Sequence, residues 1–154
     1  MEDAARILVV GSINMDMVVR SPHMPAPGET VLGEGFTTSP GGKGANQAVA
    51  AARLGAKCTL LGRLGKDAFG QSLLKGLLAE GIDCANVMIT EGVATGVAMV
   101  IVDSRGENSI VVASESPVAS EASLNVPTVL ALVQSASCAS ASFRSSSWSV
   151  RISQ

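Results

Sequence analysis

A turn carrying three glycines, Pro40-Gly41-Gly42-Lys43-Gly44-Ala45-Asn46, runs straight into the alanine-rich stretch Gln47-Ala48-Val49-Ala50-Ala51-Ala52-Arg53-Leu54. No other segment limits the fold as much. Glycines without Cβ let backbone N–H groups come close to a ligand, and the first turn of a helix presents unpaired N–H groups at the positive end of its dipole. Lys43 and Asn46 add side-chain donors at the same end. The spacing departs from the familiar phosphate loops. A Walker-type loop needs Ser or Thr after its Lys, where this chain has Gly44, and a dinucleotide fingerprint opening at Gly42 needs Gly where Gln47 stands. The turn therefore points to a polar ligand held by backbone and side-chain donors.

Upstream, the apolar run Ile7-Leu8-Val9-Val10 continues through Gly11-Ser12-Ile13. It predicts a buried parallel strand over residues 6–13 that delivers Asn14 and Asp16, two apart and so on one face, to a crevice at its C-terminal end. A helix over 44–54, a strand over 57–62 and a second helix over 67–80 follow. The second helix is opened by Asp67, carries Leu73, Leu74, Leu77 and Leu78 on one face, and is stopped by Gly81. Extended pieces at 17–19 and 29–38, broken by Pro22, Pro25, Pro27 and Gly28, join strands at 94–102 and 108–112. These four do not fit a βαβ crossover and predict a small sheet apart from the parallel core.

Composition removes several function classes. A net charge of -2 and 3% aromatic residues offer neither a basic footprint nor stacking platforms for nucleic acid. No apolar run approaches the ~20 residues that span a bilayer, and Glu2-Asp3 ahead of a short apolar run does not make a signal peptide. The expected location is the cytoplasm. Cys58, Cys84 and Cys138 lie far apart without a C-x-x-C pair, which reads as reduced, partly buried thiols. No metal-ligand spacing is present, and the single His23 sits in a proline-rich loop expected to face solvent.

The segments GSINMD from Gly11, PGET from Pro27, GGKGANQAVAAARLGA from Gly41, LGRLGKDAFG from Leu61 and ATGVAMVIVDSRGEN from Ala94 fall in one order. Together they resemble the N-terminal part of the ribokinases, within the PfkB-type carbohydrate kinases, over about residues 5–113. The resemblance implies an α/β, ribokinase-like fold: a partial doubly wound parallel sheet with a small β lid over the sugar, a lid that often pairs with that of a second subunit. It also implies ATP-dependent phosphorylation of D-ribose or a similar pentose at O5, with ATP, Mg2+ and a monovalent cation as cofactors. Asp16 would accept from two neighbouring sugar hydroxyls, and Asn14 would both donate and accept. Gly42, Lys43, Gly44 and Asn46 would complete a cage around the ring, with Met15 and Ala45 inside the same stretches. Ala98 and Val100 would cover the sugar from the lid, or serve as plain core.

The resemblance ends after Ala113. All 16 glycines precede that point, whereas 13 of the 19 serines follow it. A shifted reading frame, an alternative exon or a Ser/Ala-rich linker would each produce such a step, and residues 114–154 are expected to be a poorly ordered tail without a family motif. The parts that the family uses for chemistry are an Asp base in a Gly-Ala-Gly-Asp turn, the anion hole after it, an Asn-x-x-Glu magnesium motif and the nucleotide loops. None of these strings occurs in the sequence, so no catalytic, cofactor or metal residue is assigned. The expectation is a truncated, sugar-binding fragment. The alternatives are a non-catalytic sugar-binding module, a module that dimerises through its lid, or an inactive truncated product.

Overall fold

The computed structural model describes residues 4–114. In chain order the elements are β1 (Arg6–Val10), β2 (Asn14–Arg20), β3 (Glu34–Gly41), α1 (Lys43–Arg53), β4 (Lys57–Gly65), α2 (Ala68–Ala79), β5 (Asp83–Thr90), β6 (Gly96–Val102) and β7 (Asn108–Ala113). They build two sheets. The first is parallel, in the order β1-β4-β5, and the second is mixed, in the order β3-β2-β6-β7. In the second sheet β2 lies parallel to β6, while β3 and β7 run antiparallel to their neighbours.

One face of the parallel sheet carries Val9, Cys58, Leu60 and Leu64, and these pack with Ala45 and Ala48 of α1 and Leu73 and Leu77 of α2. Alanine at the contact positions of α1 lets its backbone approach the sheet closely. Each of the two leucines of α2 contributes about 1.5–3 kcal/mol on burial. The helix α2 starts where Asp67 accepts a hydrogen bond from the Gly70 N–H at 2.7 Å and stops at Gly81, whose φ of 76° suits glycine alone.

Several expectations need correction. The first strand ends at Val10, and Asn14 and Asp16 begin β2 of the second sheet. Gly11 makes the last bond to β4, its N–H donating to the Leu61 carbonyl, after which the chain turns away. The piece placed at 29–38 is a strand at Glu34–Gly41, so the glycine turn starts inside a strand. The core strand expected at 57–62 runs on to Gly65, and a third parallel strand, β5, follows it. Leu78 is exposed, unlike Leu73 and Leu77, because four adjacent leucines span more of the helix circumference than one sheet covers. His23 lies in an exposed loop, its Nε2 3.0 Å from Glu29 Oε1. Cys58 and Cys84 are free and buried. The tail after Ser114, Cys138 included, lies outside the described residues.

Candidate functional site

The site is built where β2 meets the start of α1. Gly42, the N-cap of α1, has φ 97°, and a Cβ on it would come within 2.5 Å of the Ser12 carbonyl oxygen and 2.8 Å of the Asn14 nitrogen. Only glycine fits there. Ser12 fastens the helix from below: its Oγ accepts from the Lys43 N–H at 3.2 Å, and its carbonyl accepts from the Ala45 N–H at 3.1 Å. Gly44 lies against Gly11 so closely that a Cβ on it would sit 2.6 Å from the Gly11 Cα.

β2 is flanked on both sides, and its polar side chains lean in opposite directions. Asp16 lies over Gly41 of β3, where any Cβ would overlap the carboxylate. Asn14 lies over Gly96 of β6, with its Oδ1 2.5 Å from the position of a Cβ there. The register places Gly41 and Gly96 on either side of Asn14, and Ser39 and Ala98 on either side of Asp16. Among the described residues no cation pairs with Asp16, and burial pushes its carboxyl above the ordinary aspartate range. It is a partly desolvated carboxylate.

Asn14 and Asp16 share one face of β2, Gly42 abuts the Asn14 backbone, and Lys43 and Asn46, both exposed, lie in the first turn of the helix that Gly42 caps. Met15 and Ala45 do not join them. Both are buried in the core, because strand alternation turns Met15 away from its two neighbours and the first helical turn points Ala45 inward. Ala98 and Val100 share the face of Asp16 and Val18; Ala98 is buried and Val100 half-buried. Sequence reasoning assigned no role to Ser12, Gly41 or Gly96. The signal for the two glycines was present, since each stands at a strand end beside a polar residue of β2, but the register was needed to read it.

A second polar cluster lies at the C-terminal end of β4. The Asp67 carboxylate accepts from the Gly70 N–H, the Thr95 N–H and the Thr95 hydroxyl. Burial pushes this carboxyl up, yet the donors from Thr95, Gly70 and Phe69 outweigh it and hold the group below its usual range. Among the described residues no group of three or more His, Cys, Asp or Glu side chains comes together as a metal site, and no helix is long and apolar enough to cross a membrane.

Comparison with known proteins agrees with this architecture. Ribokinase of Schizosaccharomyces pombe is 51% identical over 110 residues, covering 68% of this chain and 35% of its own. A ribokinase structure from Cryptococcus neoformans in complex with ADP superposes at a TM-score of 0.61 with 40% identity, over 71% of this chain and 34% of that one. The Arabidopsis thaliana ribokinase complexed with ribose and ATP gives 0.63 and 37%, over 72% of this chain and 36% of that one. The chain thus spans about a third of the length of these relatives. The model of the pfkB family of carbohydrate kinases matches residues 4–145, continuing past Ala113 where the composition changes. Since that match takes in both sheets, both helices and the glycine turn, the chain belongs to the pfkB carbohydrate kinase family.

Proposed function

We propose that this chain is the sugar-recognising portion of a ribokinase-type carbohydrate kinase, the class that phosphorylates D-ribose or a similar pentose at O5 with ATP. The observation that carries the reading is the Asp16 carboxylate, seated over the Cβ-free Gly41, half-buried and without a cation among the described residues. A carboxylate left short of donors matches two vicinal hydroxyls, each of which donates one hydrogen bond. On this reading Asn14, with Lys43 and Asn46 from the first turn of α1, supplies the remaining polar partners of the sugar. Ala98 and Val100, on the Asp16 face of the second sheet, cover the sugar, and that sheet takes the part of the lid. ATP, Mg2+ and the monovalent cation of the class have no matching motif in residues 4–114.

On this reading the 154-residue chain by itself is expected to bind the sugar without turnover. Positioning one substrate leaves the charge developing on the transferred phosphoryl group unstabilised, and loss of a single electrostatic donor typically costs 10²- to 10³-fold. Calorimetry with D-ribose and a coupled ADP-release assay test both halves of the proposal. Asp16→Ala is expected to weaken ribose binding by about 1–3 kcal/mol, the cost of stranding buried hydroxyl partners, and Lys43→Ala to weaken it less, because a hydrated ammonium loses little on release. Turnover in the kinase range of ~1–100 s⁻¹ would sink the binding-only reading, and an Asp16→Ala chain that binds ribose like its parent would remove Asp16 from the site.

A second reading is a module that pairs with a copy of itself through the lid sheet. Exposed Phe36, Met99 and Val111 favour it, all on the face opposite Asp16.

A further inference from the structure

Thr95 ties the two sheets together. It is 3% exposed and stands one residue ahead of β6. Its N–H donates to Asp67 Oδ2 at 2.7 Å, its hydroxyl donates to Asp67 Oδ1 at 2.8 Å, and that hydroxyl accepts from the Gly65 N–H at 3.0 Å. Oδ1 of Asp67 also accepts from the Gly70 N–H at 2.7 Å. The space around these groups is filled. A Cβ on Gly65 would lie 2.6 Å from the Thr95 nitrogen, and one on Gly70 would lie 2.9 Å from the Thr95 Oγ1.

A helix cap needs only the contact between a carboxylate and an amide of the first turn. Beyond that contact, the Asp67 side chain accepts two hydrogen bonds from Thr95. One carboxylate thereby fastens the start of α2 to the residue from which β6 departs, and the Thr95 hydroxyl fastens that residue to the end of β4. Directly after Thr95 comes Gly96, under the Asn14 side chain, and two residues on comes Ala98, beside Asp16.

We infer that Asp67 and Thr95 are positioning residues of the sugar site: their carboxylate–hydroxyl clasp sets where β6 stands against β2, and so fixes the aim of Asn14 and Asp16. This rests on the pentose reading for its functional half and on the clasp geometry for its structural half. Thr95→Val removes the hydroxyl at nearly constant volume, leaving the Gly65 N–H without its acceptor and Asp67 without one donor. Thr95→Ser keeps the hydroxyl and drops only a methyl group.

The parent chain and both variants are compared by D-ribose calorimetry and by amide hydrogen exchange. Thr95→Val is expected to weaken ribose binding about ten-fold or more, within the range for a stranded buried hydrogen-bonding group. It is also expected to speed exchange through Gly96–Val102 by a similar factor while Lys57–Gly65 stays protected, and Thr95→Ser is expected to restore both. A Thr95→Val chain that melts lower yet keeps parental ribose affinity and parental exchange in β6 would reduce the clasp to an ordinary stabilising contact and overturn the inference. If the parent takes up no ribose, the pentose reading fails by itself, and the exchange pattern still decides the clasp. Should Thr95→Val fail to fold, the near-isosteric Asp67→Asn is measured in its place against the same two readouts.

Discussion

Asp16 holds its charge at a cost, and the sign of that cost is testable. Burial raises its folded-state pKa above the unfolded value, so folding favours the protonated acid. Stability is therefore highest below the unfolded pKa, and part of it is lost as pH rises from there through the raised folded pKa. Asp16→Asn, which cannot ionise, is expected to melt at a higher temperature than the parent at pH 7 and at the same temperature near pH 3. The same substitution should weaken ribose binding, since an amide replaces one of the two acceptor oxygens of the carboxylate with an NH2 donor and removes its charge. Thermal melts across pH with calorimetry alongside provide the check, and a variant less stable than the parent at pH 7 would mean that the carboxylate has a stabilising partner after all. Higher stability of Asp16→Asn together with weaker ribose binding would be the stability–function trade-off that the proposed binding role requires.

The elements differ in how plainly they were written in the sequence, and the leucines of α2 show it. Leu73 is buried and Leu78 is 55% exposed, so Leu73→Ala should cost about 2–5 kcal/mol, while Leu78→Ala should fall within about ±0.5 kcal/mol; urea unfolding of both variants settles the contrast. Both helices could be read within a residue because their ends carry chemistry: Gly42 before α1, Asp67 before α2 and Gly81 after it. β5 was missed because the pairing of β4 with β5 shifts register between Thr59 and Leu61, and a bulge breaks the period of two on which strand recognition rests. As an edge strand it also tolerates Asp83, Asn86 and Thr90. The break between β1 and β2 was illegible for a different reason. Ile13 is as apolar as the strand before it, and only its packing beneath Gly62 shows that the chain has already left the first sheet. The spacing of Asn14 and Asp16 puts them on one face of β2, whereas strand alternation and the helical turn bury Met15 and Ala45 in the core.

At the scale of the whole molecule, two apolar surfaces among the described residues compete to decide how copies meet. The parallel sheet has α1 and α2 on one face; on the other, Val10 is 39% and Met88 41% exposed. The second sheet ends in β7, an edge strand exposed along its whole length, where Ile110, Val111 and Val112 are 53%, 65% and 56% exposed in succession. β7 has neither lysine nor proline to blunt it, and such an edge offers unpaired backbone groups as well as side chains. The edge should win, because it can add strand-to-strand hydrogen bonds to apolar contacts on both faces, Val111 on one and Ile110 and Val112 on the other, while the open core face offers two residues already more than half covered. The chain is therefore expected to self-associate at micromolar concentration through β7. Sedimentation velocity on two variants separates the surfaces: Val111→Lys should shift the chain toward monomer, and Met88→Lys should leave the association in place. The reverse pattern would move the contact to the core face and end the case for a lid-paired assembly.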